Sequence, residues 1–228
     1  MSGANNPSNN YLLSKLSSAE YQRLSDRLEP VQLSLNQILI EANRDCEAVY
    51  FPTEGIVSLM SIMKDGSTTE IGLIGTEGMV GTFPFIGKGV SNSRAFVQLK
   101  GSAMRLDIKT LQAEFNRGET LQKLILSYAL SLFEQVSQCA ACNNQHTVKQ
   151  RTARWLLMID DRTDTKTFSM TQLLISRMLG VRRPGVTEVA GDIQRLGIIS
   201  YHRGKITILD RPALETIACE CYQKLKIV

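Results

Sequence analysis

The sequence predicts an α+β chain with a strand-rich front half, one long helix and a C-terminal winged helix-turn-helix. Three observations carry this. Short β-prone runs broken by glycines fill residues 31–106. Helical periodicity then runs from Ile108 to about His146. Finally, Ser176–Asp210 orders a helix end, a tight glycine turn, a second helix and a hairpin. With 228 residues, the chain suffices for one large domain or two modest ones.

The leader, "MSGANNPSNNYLLSKLSS", is polar and lacks the basic start and apolar run of a secretion signal. Ser17-Ser18 then caps a short helix in "SSAEYQRLSDRL". Strand candidates follow in "NQILIE", "AVYFP", "GIVSLMSIM", "TEIGLIG" and "RAFVQLKGSAMRLD". "KDGS" at Lys64–Ser67 marks a hairpin, because glycine accepts positive φ without steric cost. Many short strands with glycine turns read as a β-sandwich or β-barrel.

In the long helix, Leu121, Ile125, Tyr128, Leu132, Gln135, Cys139 and Cys142 repeat with alternating spacings of four and three. That is the seam of a coiled coil, so these residues are the expected homodimer interface, the other reading being a helix packed in the core of a monomer. Leu124, Leu126, Ala129, Leu130, Phe133 and Val136 lie off the seam and are expected to cover the β domain.

The last third is basic. Residues 1–148 carry 12 Lys and Arg against 14 Asp and Glu; residues 149–228 carry 14 against 8. A basic module on a near-neutral body fits nucleic-acid binding. "TVKQRTARWLLMIDDRT" reads as an amphipathic helix, with Val148, Thr152, Trp155, Leu156 and Ile159 on one side and Lys149, Arg151 and Arg154 around them. "DDRTDTKT" is a loop, Phe168–Met170 a short strand, and Thr171 opens a helix with Leu173, Leu174 and Leu179 as buried positions. Gly180 ends it, Pro184 suits the first turn of the next helix, and Arg203-Gly204 turns the wing.

Arg182 and Arg183 thus stand at the start of a recognition helix, where a guanidinium can bond guanine bidentately. Thr187 and Glu188, one turn on, are further base-reading candidates. Thr171, His202, Arg203 and Lys205 are candidate phosphate contacts.

"TQLLISRMLGVRRPGVTEVAGDIQRLGIISYHRGKITILDRPALE" resembles the DNA-binding domain of the Crp/Fnr family of bacterial transcription regulators, and "QRTARWLL" and the order of the front half match too. The resemblance covers nearly the whole chain beyond about residue 12. It implies an N-terminal β-roll sensor similar to the cyclic-nucleotide-binding fold (1–120), a long dimerisation helix (121–147) and a winged helix-turn-helix (148–228). It also implies double-stranded DNA, a second copy of the chain and RNA polymerase as partners.

Two departures stand out. Where the family often carries Arg-Glu and, four residues after the Glu, a second Arg, this chain keeps Arg183 but has Pro184 and Glu188. Where cyclic-AMP sensors carry a ribose-binding Glu and a phosphate-binding Arg-Ser pair, it has Thr82 and the inverted Ser93-Arg94. A cyclic-AMP response is therefore not expected, and the effector is left open.

Cys139, Cys142 and His146, at i, i+3 and i+7, could hold zinc or an iron–sulfur cluster, or pack as small apolar groups. The second reading is adopted. Cys219 and Cys221 are assigned no role, so no metal or cofactor is expected. The chain lacks G-x-S-x-G, H-E-x-x-H, Walker and G-x-G-x-x-G motifs, which argues against an enzyme. It also has no run of about 18 apolar residues. No membrane association and a cytoplasmic location are expected. The rival reading is a ligand- or redox-sensing β-roll protein whose helix-turn-helix contacts another protein.

Overall fold

The computed structural model describes residues 6–87 and 89–226. The first five residues of the polar leader lie outside them. The chain divides into two compact units. One is formed up to Met60 together with Gly72–Glu134, the other by Ser61–Ile71 together with the chain from Gln135.

In the first unit the rest of the leader is not loose. A 3-10 turn, Pro7–Asn9, leads into α1, Tyr11–Ser14. Asn10 between them is fully buried. Its amide donates to the Pro52 and Gly78 carbonyls at 3.0 and 2.9 Å, and its Oδ1 accepts from the Leu13 N–H at 3.2 Å. A buried amide is tolerated because it is paired on both sides. α2, Ser18–Ser25, starts with a capping box between Ser17 and Glu20. The other Glu20 oxygen accepts from the Leu121 N–H at 2.8 Å.

The sheet comprises β1 (Glu29–Leu33), β2 (Ile38–Ile40), β3 (Ala48–Ile62), β4 (Thr68–Ile74) and β5 (Arg94–Asp107), in the order β1-β5-β3-β4 with β2 also on β5. The "KDGS" hairpin forms as expected, Gly66 lying at φ 82° between β3 and β4. β3 and β5 pair antiparallel but shift register three times between Pro52 and Val57. Gly55 (φ 87°) and Gly101 make these shifts possible. A Cβ on Gly101 would lie 2.1 Å from the Glu54 carbonyl oxygen. Short α3 (Thr82–Ile86) and α4 (Ile108–Phe115) complete this part.

The continuous helix expected from Ile108 is interrupted. α4 ends at Phe115, Gly118 adopts φ 75°, and α5 runs Thr120–Gln145. Leu121 and Ile125 of α5 close a core with Leu12, Leu13, Phe51, Met79 and Leu106.

In the second unit, α6 (Val148–Asp160) begins with a Thr147–Gln150 capping box. It is not amphipathic: residues 151–159 are all buried, Arg151 and Arg154 included, where the sequence places these arginines around the apolar face. β6 (Thr167–Ser169), α7 (Gln172–Leu179) and α8 (Arg183–Arg195) follow. β7 (Ile199–His202) and β8 (Lys205–Ile208) then form a three-stranded sheet with β6, in the order β6-β8-β7. Gly180 caps α7 in the left-handed conformation (φ 62°). Leu179 is buried, whereas Leu173 is 49% exposed rather than buried. α9 (Arg211–Ile217) and α10 (Cys221–Leu225) end the chain. Arg211 ties them to α6 through Asp160, Asp161 and the Tyr222 hydroxyl.

Because the Glu54 carbonyl is ladder backbone and cannot turn aside, Gly101→Ala should destabilise the chain by about 1–3 kcal/mol, read as a lowered denaturation midpoint in urea.

Candidate nucleic-acid interface

α7, Gly180 and α8 form the helix-turn-helix. Val186, Ala190 and Ile193 of α8 are buried at spacings of four and three, so the opposite stripe faces solvent. That stripe begins with Arg182 and Arg183, continues through Thr187 and Glu188, and ends at Gln194 and Arg195, all exposed. Arg182 is the N-cap and Pro184 occupies the first turn of α8. Thr187 donates to Gln172 Oε1 and to the Arg183 carbonyl, each at 3.1 Å. Its hydroxyl therefore steadies α8 against the start of α7.

The wing is pinned to the same end. Arg203 (φ 49°) and Gly204 (φ 76°) turn the hairpin, and the Gly204 carbonyl accepts from the Met170 N–H at 2.6 Å. The Tyr201 hydroxyl donates to the Met170 carbonyl at 2.9 Å, and its N–H to Gln194 Oε1 at 2.6 Å. Thr171 caps α7, accepting from the Leu174 N–H at 3.1 Å. A Cβ on Gly204 would touch the Thr171 methyl at 3.6 Å. His202, Arg203 and Lys205 are exposed beside it. Thus the eight expected DNA contacts lie on one helix-turn-helix and its wing. The sequence reading missed Arg177, Gln194 and Arg195, which are also exposed. For Gln194 and Arg195 the available signal was their place at the end of the same helix as Arg183; for Arg177, on α7, only its charge.

The seven residues expected at a dimer interface are turned the other way. Leu121, Ile125, Leu132, Cys139 and Cys142 are buried within their own chain, and Tyr128 and Gln135 are half-buried. Gly78 leaves room for the Tyr128 ring, since a Cβ there would overlap its hydroxyl. Cys139 meets Arg154, and Cys142 meets Cys219. Of the face expected to be covered, Ala129 is buried and Leu124 packs against the core, whereas Leu126 (50%), Leu130 (59%) and Phe133 (59%) are exposed. Both stripes share the four-three spacing, so spacing alone does not tell which of them is buried within the chain.

The sensor region holds a cleft of about 260 Å³ including its mouth, lined among others by Ile40, Leu59, Thr82, Phe83, Ser93 and Leu132. Thr82 is buried, and its hydroxyl donates to the Met79 carbonyl at 2.7 Å. Arg94 does not line the cleft. It forks onto Glu41, Nε at 2.9 Å and Nη2 at 3.0 Å.

Two family models match the chain. A cyclic nucleotide-binding domain spans residues 30–117 and a Crp-like helix-turn-helix domain residues 150–217. The chain belongs to the Crp/Fnr family. Solved structures agree in fold. A Crp/Fnr-family chain from Eubacterium rectale is 19% identical, with TM-score 0.73, covering 92% of this chain and 98% of that one. FixK2 from Bradyrhizobium japonicum is 15% identical, with TM-score 0.71, covering 84% and 98%. The c-di-GMP-responsive regulator CLP from Xanthomonas campestris is 12% identical, with TM-score 0.69, covering 84% and 99%. No curated protein matches. As a Crp/Fnr regulator the chain is a DNA-binding transcription factor and not an enzyme. No helix among the described residues is long and apolar enough to cross a membrane.

In this regulator Arg94 holds the Glu41 carboxyl below the usual carboxylate range by hydrogen bonding. A depressed carboxylate stabilises the fold above its ordinary pKa, and that contribution is lost as pH falls through the folded value. Arg94→Ala should therefore move the Glu41 NMR titration upward. The stability gap between parent and variant should shrink on acidification. Both partners are more than a third exposed, so the gap should stay below about 1 kcal/mol.

Proposed function

We propose that this regulator acts as a homodimer on an inverted-repeat DNA site and does not respond to cyclic AMP. One observation carries the DNA reading: Arg182, Arg183, Thr187 and Glu188 share the solvent stripe of α8, with His202, Arg203 and Lys205 exposed on the adjoining wing. A guanidinium at the start of a recognition helix reads guanine, while cations on a wing grip phosphates. Pro184 and Glu188 alter the pattern common in the family, so the preferred sequence should differ from that of relatives with the usual pair.

Pairing is assigned to the outward stripe of α5. Leu126, Leu130 and Phe133 are followed by exposed Ser137, Ala140 and Asn144, again at alternating four and three. Large apolar groups left in water at this spacing gain by meeting a second copy, and small ones further along let two helices approach. Parallel pairing would set two recognition helices about 34 Å apart.

The cleft lacks what a cyclic phosphate requires. Arg94 is engaged by Glu41, and Thr82 spends its hydroxyl on backbone. A buried phosphate needs charge-assisted donors.

Three outcomes follow. Arg183→Ala should cost about 1–3 kcal/mol on the true site and relax its specificity, whereas Lys205→Ala should weaken all sequences alike. Quantitative gel shifts over a salt series decide this, and parental binding by Arg183→Ala would remove it from base readout. Leu130→Glu should yield monomers in analytical ultracentrifugation, whereas an intact dimer would place the interface elsewhere. Calorimetry with cyclic AMP should give no heat of binding; micromolar binding lost in Arg94→Ala would overturn the negative assignment.

A further inference from the structure

The end of α5 and the segment around α10 bring together four soft ligands that the helix-turn-helix does not use. Cys142 Sγ lies 3.4 Å from Cys219 Sγ, and Cys221 Sγ lies 3.6 Å from His146 Nδ1. All four ligand atoms fall within 4.8 Å of one another. Tetrahedral zinc with Zn–S of about 2.3 Å and Zn–N of about 2.0 Å requires ligand–ligand edges of about 3.5–3.8 Å. The two short edges are close to that size. A disulfide would need its sulfurs about 2.05 Å apart.

The surroundings suit a metal. His146 presents Nδ1 to the cluster while its Nε2 lies 3.2 Å from the Glu220 carboxylate. A carboxylate behind a histidine fixes the tautomer and ring orientation that a ligand needs. The Gln138 amide donates to Cys221 Sγ at 3.0 Å. Arg151 and Arg154 are buried, 8% and 4% exposed. Neutral groups hold them: Arg151 bonds Asn143 Oδ1 at 3.0 Å and the Leu179 carbonyl at 3.4 Å, and Arg154 meets Cys139 Sγ at 3.5 Å and Met158 Sδ at 3.0 Å. Both act electrostatically on Cys142 and Cys219. A buried cation needs a counter-charge. Three thiolates and one zinc ion leave a single negative charge to supply it.

We propose that Cys142, His146, Cys219 and Cys221 form a Cys3His zinc site that staples the last two helices to the end of α5. Zinc enters as the divalent ion, three thiol protons leave to solvent, and the neutral imidazole donates through Nδ1. No electrons are transferred. Thiols must lose their protons to ligate zinc, so binding should be weaker at low pH. The site corrects the reading of these cysteines from the sequence. Cys219 and Cys221 have a role, and Cys139 stays outside the ligand set.

The test uses the full chain, purified under reducing, oxygen-free conditions. Elemental analysis should find about one zinc per chain. Cobalt should replace it with the visible bands of a tetrahedral thiolate site. Cys219→Ser should lose those bands, while Cys46→Ser should keep them. His146→Ala and Glu220→Gln involve side chains with some solvent access and guard against misfolding. His146→Ala should lose the tetrahedral cobalt bands, and Glu220→Gln should bind zinc about 10- to 100-fold more weakly in chelator competition. A chelator should lower the melting temperature of the parent but not of Cys219→Ser. The proposal fails if the reduced parent takes up neither zinc nor cobalt, if it holds iron and sulfide instead, if a Cys142–Cys219 disulfide is recovered in place of metal, or if the cysteine variants bind zinc like the parent.

Discussion

The burial of one stripe of α5 within its own chain is the constraint on which the remaining surfaces depend. Leu121 and Ile125 seal the first core, and Leu132 lines the cleft. A single helix cannot offer one face to two partners. Once that stripe is committed inward, Leu126, Leu130 and Phe133 must face out, and any pairing of copies passes to them. The commitment is anchored at the start of the helix, where Glu20 accepts from the Leu121 backbone while also capping α2. A buried acceptor in that position satisfies a helix N-terminal donor that would otherwise be left without a partner.

The DNA-binding half is organised by short-range hydrogen bonds around one point. Met170 receives the wing turn through its N–H and the Tyr201 hydroxyl through its carbonyl, and Thr171 beside it caps α7. Gln194, in the last turn of α8, accepts from the Tyr201 N–H. These contacts set the wing and α8 as one surface, whose parts need not be ordered separately when DNA arrives. Preorganisation of this kind lowers the entropy lost on binding.

Polar groups at depth mark where chemistry outweighs packing. In the sensor half, Arg94 and Thr82 find local partners, which leaves a small and largely uncharged cleft. In the DNA-binding half, Arg151 and Arg154 are deep in α6 and donate to neutral oxygen and sulfur acceptors. The contrast explains why the cysteine cluster, and not the inherited cleft, is the place where a bound ion would repay the cost of burial.

The sequence by itself determined the order of elements and the helix-turn-helix with its wing. Gly66, Gly180 and Gly204 take the positive φ their turns require, and Ser17 and Thr171 cap their helices, because these signals act over a few residues. Part of the α8 surface was legible for the same reason, since helical spacing puts Glu188 opposite Val186 and Ala190, while Arg183 lies in the exposed first turn. Only the tertiary structure decided which stripe of α5 turns inward, because two stripes with equal spacing differ only in what lies beside them. It also decided that Asn10 is core, that Arg151 and Arg154 are buried, and that Cys219 and Cys221 meet Cys142 and His146 across more than 70 residues of chain. Contacts at that separation depend on how whole elements pack, and no local pattern encodes them.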